Sequence, residues 1–158
     1  MMNPNWARWI FASVSSFFDS KKSTLDMFVE GTDMLGRRRE KDYIEFRMNG
    51  PSGTEVSKDY WRLDFEVNVL VCSLKDEKNF HRIFNNIGIV TSMFFGAISI
   101  YKLGSGPDDD PKEMLEDCAV REEEIRVNQY GQFDPALPVL QATVESSYKI
   151  YLETPDNA

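Results

Sequence analysis

The sequence is short of the side chains that most reactive and metal-binding chemistry requires. It has one histidine and two cysteines among 158 residues. His81 has no serine or cysteine nucleophile with an orienting acid near it in sequence, so a surface or packing role is expected for it. Cys72 and Cys118 form no CxxC pair and show no metal-ligand spacing. That argues against a zinc site and leaves two reduced, structural thiols, as suits synthesis in a cytoplasm. No apolar run approaches the ~18 residues of a membrane span. The opening Trp6-Ala7-Arg8-Trp9-Ile10-Phe11 lacks the basic stretch and long apolar core of a signal peptide. A soluble protein is expected. Gly104-Ser105-Gly106-Pro107 lacks the Lys-Ser/Thr of a phosphate-binding loop and leads into acids that would repel phosphate. No cofactor is expected, and no enzymatic activity.

Basic charge is also scarce. The net charge is −8. Nine acids against two bases fall between Asp108 and Glu124, whereas residues 1–58 carry nine bases and eight acids. A protein that grips nucleic acid needs a basic face, because neutralising phosphates supplies most of that affinity. The one basic run is Arg37, Arg38 and Arg39. It is short, and it is read as a solvated loop and a candidate partner contact. Asp108, Asp109 and Asp110 are consecutive and flanked by prolines. Calcium loops space their carboxylates to wrap the ion, so a solvated acidic loop is expected here instead. Asp64 and Glu66 share one strand face at a separation of about 7 Å, within reach of a glycosidase pair. Charge on the wet face of a half-buried strand is the simpler account.

Aromatic residues are plentiful: eleven Phe, six Tyr and three Trp. Trp6, Trp9, Ile10, Val14 and Phe17 recur at three- and four-residue steps, which predicts an amphipathic helix over 5–20 with Arg8, Ser13, Ser16 and Asp19 off the stripe. A strand is expected over 25–31. Ile44, Phe46 and Met48 alternate with polar residues until Asn49-Gly50-Pro51-Ser52-Gly53, a dense turn signal. Trp61, Leu63, Phe65, Val67, Val69 and Val71 then occupy every second place, so one face of a strand over 60–73 is apolar and the other charged. Together 42–49 and 60–73 form an expected hairpin.

Asp76 is a candidate cap for a second helix, whose apolar stripe holds Phe80, Ile83, Phe84, Ile87, Val90 and Phe94 and which stops at Gly96. Further strands are expected over 97–103 and 124–129. Leu140, Ala142, Val144, Ser146, Tyr148, Ile150 and Leu152 mark a long closing strand. One-sided strands interrupted by two helices predict an α+β fold, an antiparallel sheet with both helices on one face. The expected domain is residues 4–153, with an acidic loop segment over 104–124 and a disordered tail over 154–158. Its predicted core includes Trp6, Trp9, Trp61, Leu63, Phe65, Val67, Phe84, Ile87 and Val144.

One arrangement resembles a known family. The aromatic helix over 5–14, a hairpin ending in 60–71, a single helix, further strands and a closing strand over 140–148 are similar, in order and length, to tail terminator and tail completion proteins of long-tailed bacteriophages. The resemblance covers residues 4–152. It implies a homo-oligomeric ring, a hexamer, that caps the tail tube, stops its polymerisation and meets the head-completion or connector protein. It implies a virion location and DNA passing nearby without sequence-specific binding. Asp108, Asp109, Asp110, Glu113, Glu116 and Asp117 would then face the lumen or rim, where like charge prevents adhesion. A neck or adaptor subunit is the related alternative, and a small ligand-binding module a third.

Overall fold

A computed structural model describes residues 5–30, 41–74, 81–102, 113–118, 125–131 and 139–153. Arg37, Arg38, Arg39, Asp76, Phe80, Asp108, Asp109, Asp110 and the tail over 154–158 lie outside the described residues. The elements are α1 (Trp6–Lys21), β1 (Asp26–Val29), β2 (Tyr43–Ser57), β3 (Tyr60–Leu74), α2 (Arg82–Met93), β4 (Ile98–Lys102), β5 (Glu113–Cys118), β6 (Arg126–Gly131) and β7 (Val139–Glu153). The protein is an α+β fold. Its main sheet has the order β1-β2-β3-β7-β6, with β4 and β5 forming a separate two-stranded sheet. All pairs are antiparallel except β1 with β2.

The registers explain why one face of the main sheet becomes the core floor. Phe46, Val69 and Val144 stand in one row, and Ile44, Val71 and Ala142 in the next. Phe65 pairs with Tyr148, and Leu63 with Ile150. All ten are buried in a single apolar cluster that also holds Trp6, Trp9, Ile10, Val14, Phe18, Ile83, Ile87 and Val90 of the helices. Both helices therefore cover this face, together with Ile98 and Ile100 of β4. Phe18 links the layers, its ring 5.5 Å from Phe46 and 4.9 Å from Phe94. Lys21 in the last turn of α1 donates to the Phe95 carbonyl and lies 4.2 Å from the Phe17 ring centre, tying α1 to the end of α2.

Several sequence expectations change. The hairpin does not turn at 49–53. Asn49 pairs with Glu66 and Ser52 with Asp64, so Gly50 and Pro51 stand opposite Phe65 alone as a bulge. Gly50 has φ +95°, and a side chain there would meet the Asp64 carbonyl at 2.9 Å. The turn-like sequence thus kinks β2 instead of ending it. The chain reverses at Lys58–Asp59, where Asp59 takes φ +63°, a conformation its short polar side chain tolerates.

Phe84, placed in the core by periodicity, is 51% exposed. The helix rests on one sheet face and buries the stripe Ile83, Asn86, Ile87, Val90, Met93 and Phe94, which leaves Phe84 outside it. Trp61 is half-buried at the margin of the core. In α1 the inner stripe runs to Phe18, leaving Phe17 part-buried, and Ser13 is buried because its Oγ accepts the Tyr101 N–H at 3.0 Å. The segment expected to be an acidic loop contains β5, whose backbone pairs with β4: Glu113 lies opposite Lys102, Glu116 opposite Ile100 and Asp117 opposite Ser99. β5 lies against β7 without pairing to it.

Candidate assembly surface

The second face of the main sheet is polar, and alternation puts it there: each residue between two core residues of β3 points away from the helices. Along β3 these are Arg62, Asp64, Glu66 and Asn68, all half-buried. Opposite charges meet within and across strands. Arg62 donates to Asp64 at 3.1 Å, and Arg47 to Glu45 at 3.0 Å. Glu145 of β7 accepts from Asn68 at 2.9 Å and from Asn128 at 3.3 Å, with Arg126 at 3.5 Å. Tyr60 and Tyr151 stack at 6.0 Å near the hairpin end. A strand of this length spans about 50 Å, so the face is long, and three ion pairs lie along it.

Three of the depressions formed among the described residues bear on function. The first, about 510 Å³, lies at the β2 bulge among Gly50, Asp64, Glu66, Ser147 and Lys149. It holds the Asp64–Glu66 pair raised by the sequence, but Asp64 is already engaged by Arg62 and the hollow is open. The second, about 490 Å³, runs between α1 and β4 past Ala12, Ser13, Ser16, Ala97 and Tyr101. The third, about 320 Å³, contains Asp42, Lys41, Arg82, Asn86 and Asp26.

That third hollow is built around one carboxylate, which sequence reasoning missed. Asp42 Oδ1 accepts the Leu74 N–H at 2.9 Å, and Oδ2 accepts from Arg82 Nε at 2.6 Å and Asn86 Nδ2 at 2.8 Å. The same Asn86 nitrogen donates to Ser73 Oγ at 2.7 Å. Burial pushes the Asp42 carboxyl up, but the donors from Arg82, Leu74 and Asn86 outweigh it and hold its pKa below the ordinary value. The cluster joins the start of β2, the end of β3 and the first turns of α2. Its geometry is that of a clasp, since every contact is already used within the fold.

No family model and no curated protein matches this chain. The functional reading therefore rests on the geometry and the resemblance. His81 is exposed at the start of α2, away from the polar sheet face. Among the described residues no group of three His, Cys, Asp or Glu could hold a metal ion, and no helix is long and apolar enough to cross a membrane. Cys72 is buried, with its Sγ 3.8 Å from Gln141 Nε2. Of the candidate acidic rim, Glu113, Glu116 and Asp117 sit on β5, and the Asp108–Asp110 run and Arg37–Arg39 fall outside the described residues.

Proposed function

We propose that this protein is a structural virion subunit that forms a ring, hexameric by the resemblance, at the head-proximal end of a phage tail tube. There it ends tube polymerisation and joins tail to head. The observation that carries this reading is the contrast between the two faces of one sheet. One is packed by both helices. The other is an extended polar surface that carries the Arg47–Glu45, Arg62–Asp64 and Arg126–Glu145 pairs and a hollow of about 510 Å³ that is open to solvent. A face of that kind suits docking: the charges already in those pairs are not left stranded when it is covered. The order of elements, an aromatic N-terminal helix, a long hairpin, a second helix on the same face and a long closing strand, also agrees with the resemblance.

The partners in this reading are further copies of the chain, the tube protein and the head-completion or connector protein. The acidic stretch over 108–124 lies toward the channel or rim, where DNA passes without adhering. The test is to add the purified protein to polymerising tube protein and measure tube lengths by electron microscopy. Shorter tubes with a cap of density at one end are expected; unchanged lengths and bare ends overturn the reading. Burial of residues 108–124 at a subunit interface in an assembled ring would overturn their assignment to the channel.

A further inference from the structure

Two rows of the main sheet run out at β6. On the core side Phe46, Val69, Val144 and Val127 stand in register across β2, β3, β7 and β6. The first three are buried, yet Val127 is 43% exposed. On the polar side the adjacent row is Arg47, Asn68, Glu145 and Arg126. Glu145 is 17% exposed, whereas the Arg126 side chain is 62% exposed, with its Nε 3.5 Å from Glu145. Beyond β6 no further strand follows in the sheet among the described residues. Alternate residues of an antiparallel strand turn their N–H and C=O away from the paired neighbour. From Arg126 to Gln129 those groups therefore face a side that carries no strand.

We propose that β6 is a docking edge, and that it receives an extended acidic segment of a partner protein as an added strand. That segment places an apolar residue opposite Val127 and a carboxylate opposite Arg126. The proposal rests on the reading of the chain as an assembly subunit and names one edge by which it holds a partner.

The two rows dictate the chemistry of the occupant. An apolar residue beside Val127 continues the row of Phe46, Val69 and Val144 and covers the exposed valine. Along the polar row an acid, Glu145, is followed by a base, Arg126. A carboxylate in the next place makes an attractive cross-strand pair, and a second cation there is repelled. In a chain of net charge −8, residues 125–131 carry one base and no acid. This edge thus differs in sign from the protein as a whole and draws acidic segments that the rest of the surface repels. β6 also lacks the proline or lysine that blunts a free edge. Its regular stretch ends at the register shift between Gln129 and Gly131. So short an edge offers few backbone bonds, and side chains must select the partner.

The test titrates two blocked peptides, Thr-Val-Glu-Val-Glu-Thr and Thr-Val-Lys-Val-Lys-Thr, into the full isotope-labelled chain, with amide NMR shifts as the readout. The glutamate peptide is expected to shift the amides of Arg126, Val127 and Asn128. It should bind about fivefold tighter than the lysine peptide, the worth of one cross-strand charge pair. Arg126→Glu should reverse that preference. The proposal is overturned if neither peptide moves these amides at millimolar concentration, if the shifts map to another surface, or if Arg126→Glu leaves the preference unchanged. Shifts at the same amides that grow with protein concentration alone would assign the edge to a second copy and overturn the acidic partner. Should Arg126→Glu detach β6, seen as lost hydrogen-exchange protection there, Arg126→Gln carries the test and should erase the preference. Peptide binding at β6 by a protein that leaves tube lengths unchanged would overturn the proposed function and leave this edge standing. Tube capping by a protein whose β6 amides ignore both peptides would do the reverse.

Discussion

Asp42 and Arg82 lie 2.6 Å apart, and through that contact the residue before β2 holds the first turn of α2. The Asp42 carboxylate also serves Leu74 and Asn86, so its removal strands three donors in partly dry surroundings. Hydrogen bonds to a charged group are worth about 1.5–3 kcal/mol each, reduced here because Arg82 is part-exposed. Asp42→Ala is expected to cost about 2–3 kcal/mol. Urea unfolding should show a lower midpoint at unchanged slope. Asp26→Ala, at an exposed neighbour, should stay within about 0.5 kcal/mol of wild type.

The same carboxylate sets a pH dependence. Burial acts against the charged form of Asp42, yet its hydrogen bonds and Arg82 depress the folded-state pKa. A group whose pKa is depressed by folding binds fewer protons in the native state. Its stabilisation is complete above the unfolded value, about 3.9, and is lost as pH falls through the lower folded value. Unfolding free energy measured between neutral and strongly acid pH should fall more steeply for wild type than for Asp42→Asn. Equal acid slopes would mean that Asp42 is not held as a carboxylate by these donors.

Much of the fold was legible in the sequence because alternation and burial coincide in β3 and β7. A two-residue period from Trp61 to Val71 leaves one face for the core, and no tertiary contact overrides it. Legibility failed where the deciding contact is remote. Asn86 is a polar residue 7% exposed on the buried side of α2, a place that only Asp42 and Ser73 explain. Ser13 is likewise buried because of Tyr101, far along the chain. The sequence around Gly50-Pro51 carries every local sign of a turn. It continues as strand because β3 runs on beside it to Tyr60.

Phe65 and Phe84 separate the core from its periodic imitation. Phe65 is buried and stacks on Tyr148 with ring centres 5.2 Å apart. Phe65→Ala should cost about 3–5 kcal/mol and leave little folded protein. Phe84→Ala removes an exposed ring and should shift stability by less than about 0.5 kcal/mol. Thermal unfolding of the two variants decides the matter. Similar losses for both would mean that α2 is rotated from the orientation described.

Two glycines should respond to alanine in opposite directions. Gly50 has φ +95° and its backbone approaches the Asp64 carbonyl, so a Cβ meets both strain and a clash. Strain of this kind costs about 1–3 kcal/mol, and Gly50→Ala should loosen the β2 bulge by at least that much. Gly88 lies inside α2, where an added Cβ meets nothing within 4 Å. Its only intramolecular effect is the entropy a helical glycine loses, so Gly88→Ala should stabilise the fold by about 0.5–1 kcal/mol. For a domain of this size that is a rise of about 2–4 °C per kcal/mol in the melting temperature. The pair controls for generic effects of alanine substitution, because one chemical change is made in both places. A gain at both sites would remove the bulge geometry, and with it the reason the hairpin reaches Asp59 instead of turning at Gly50.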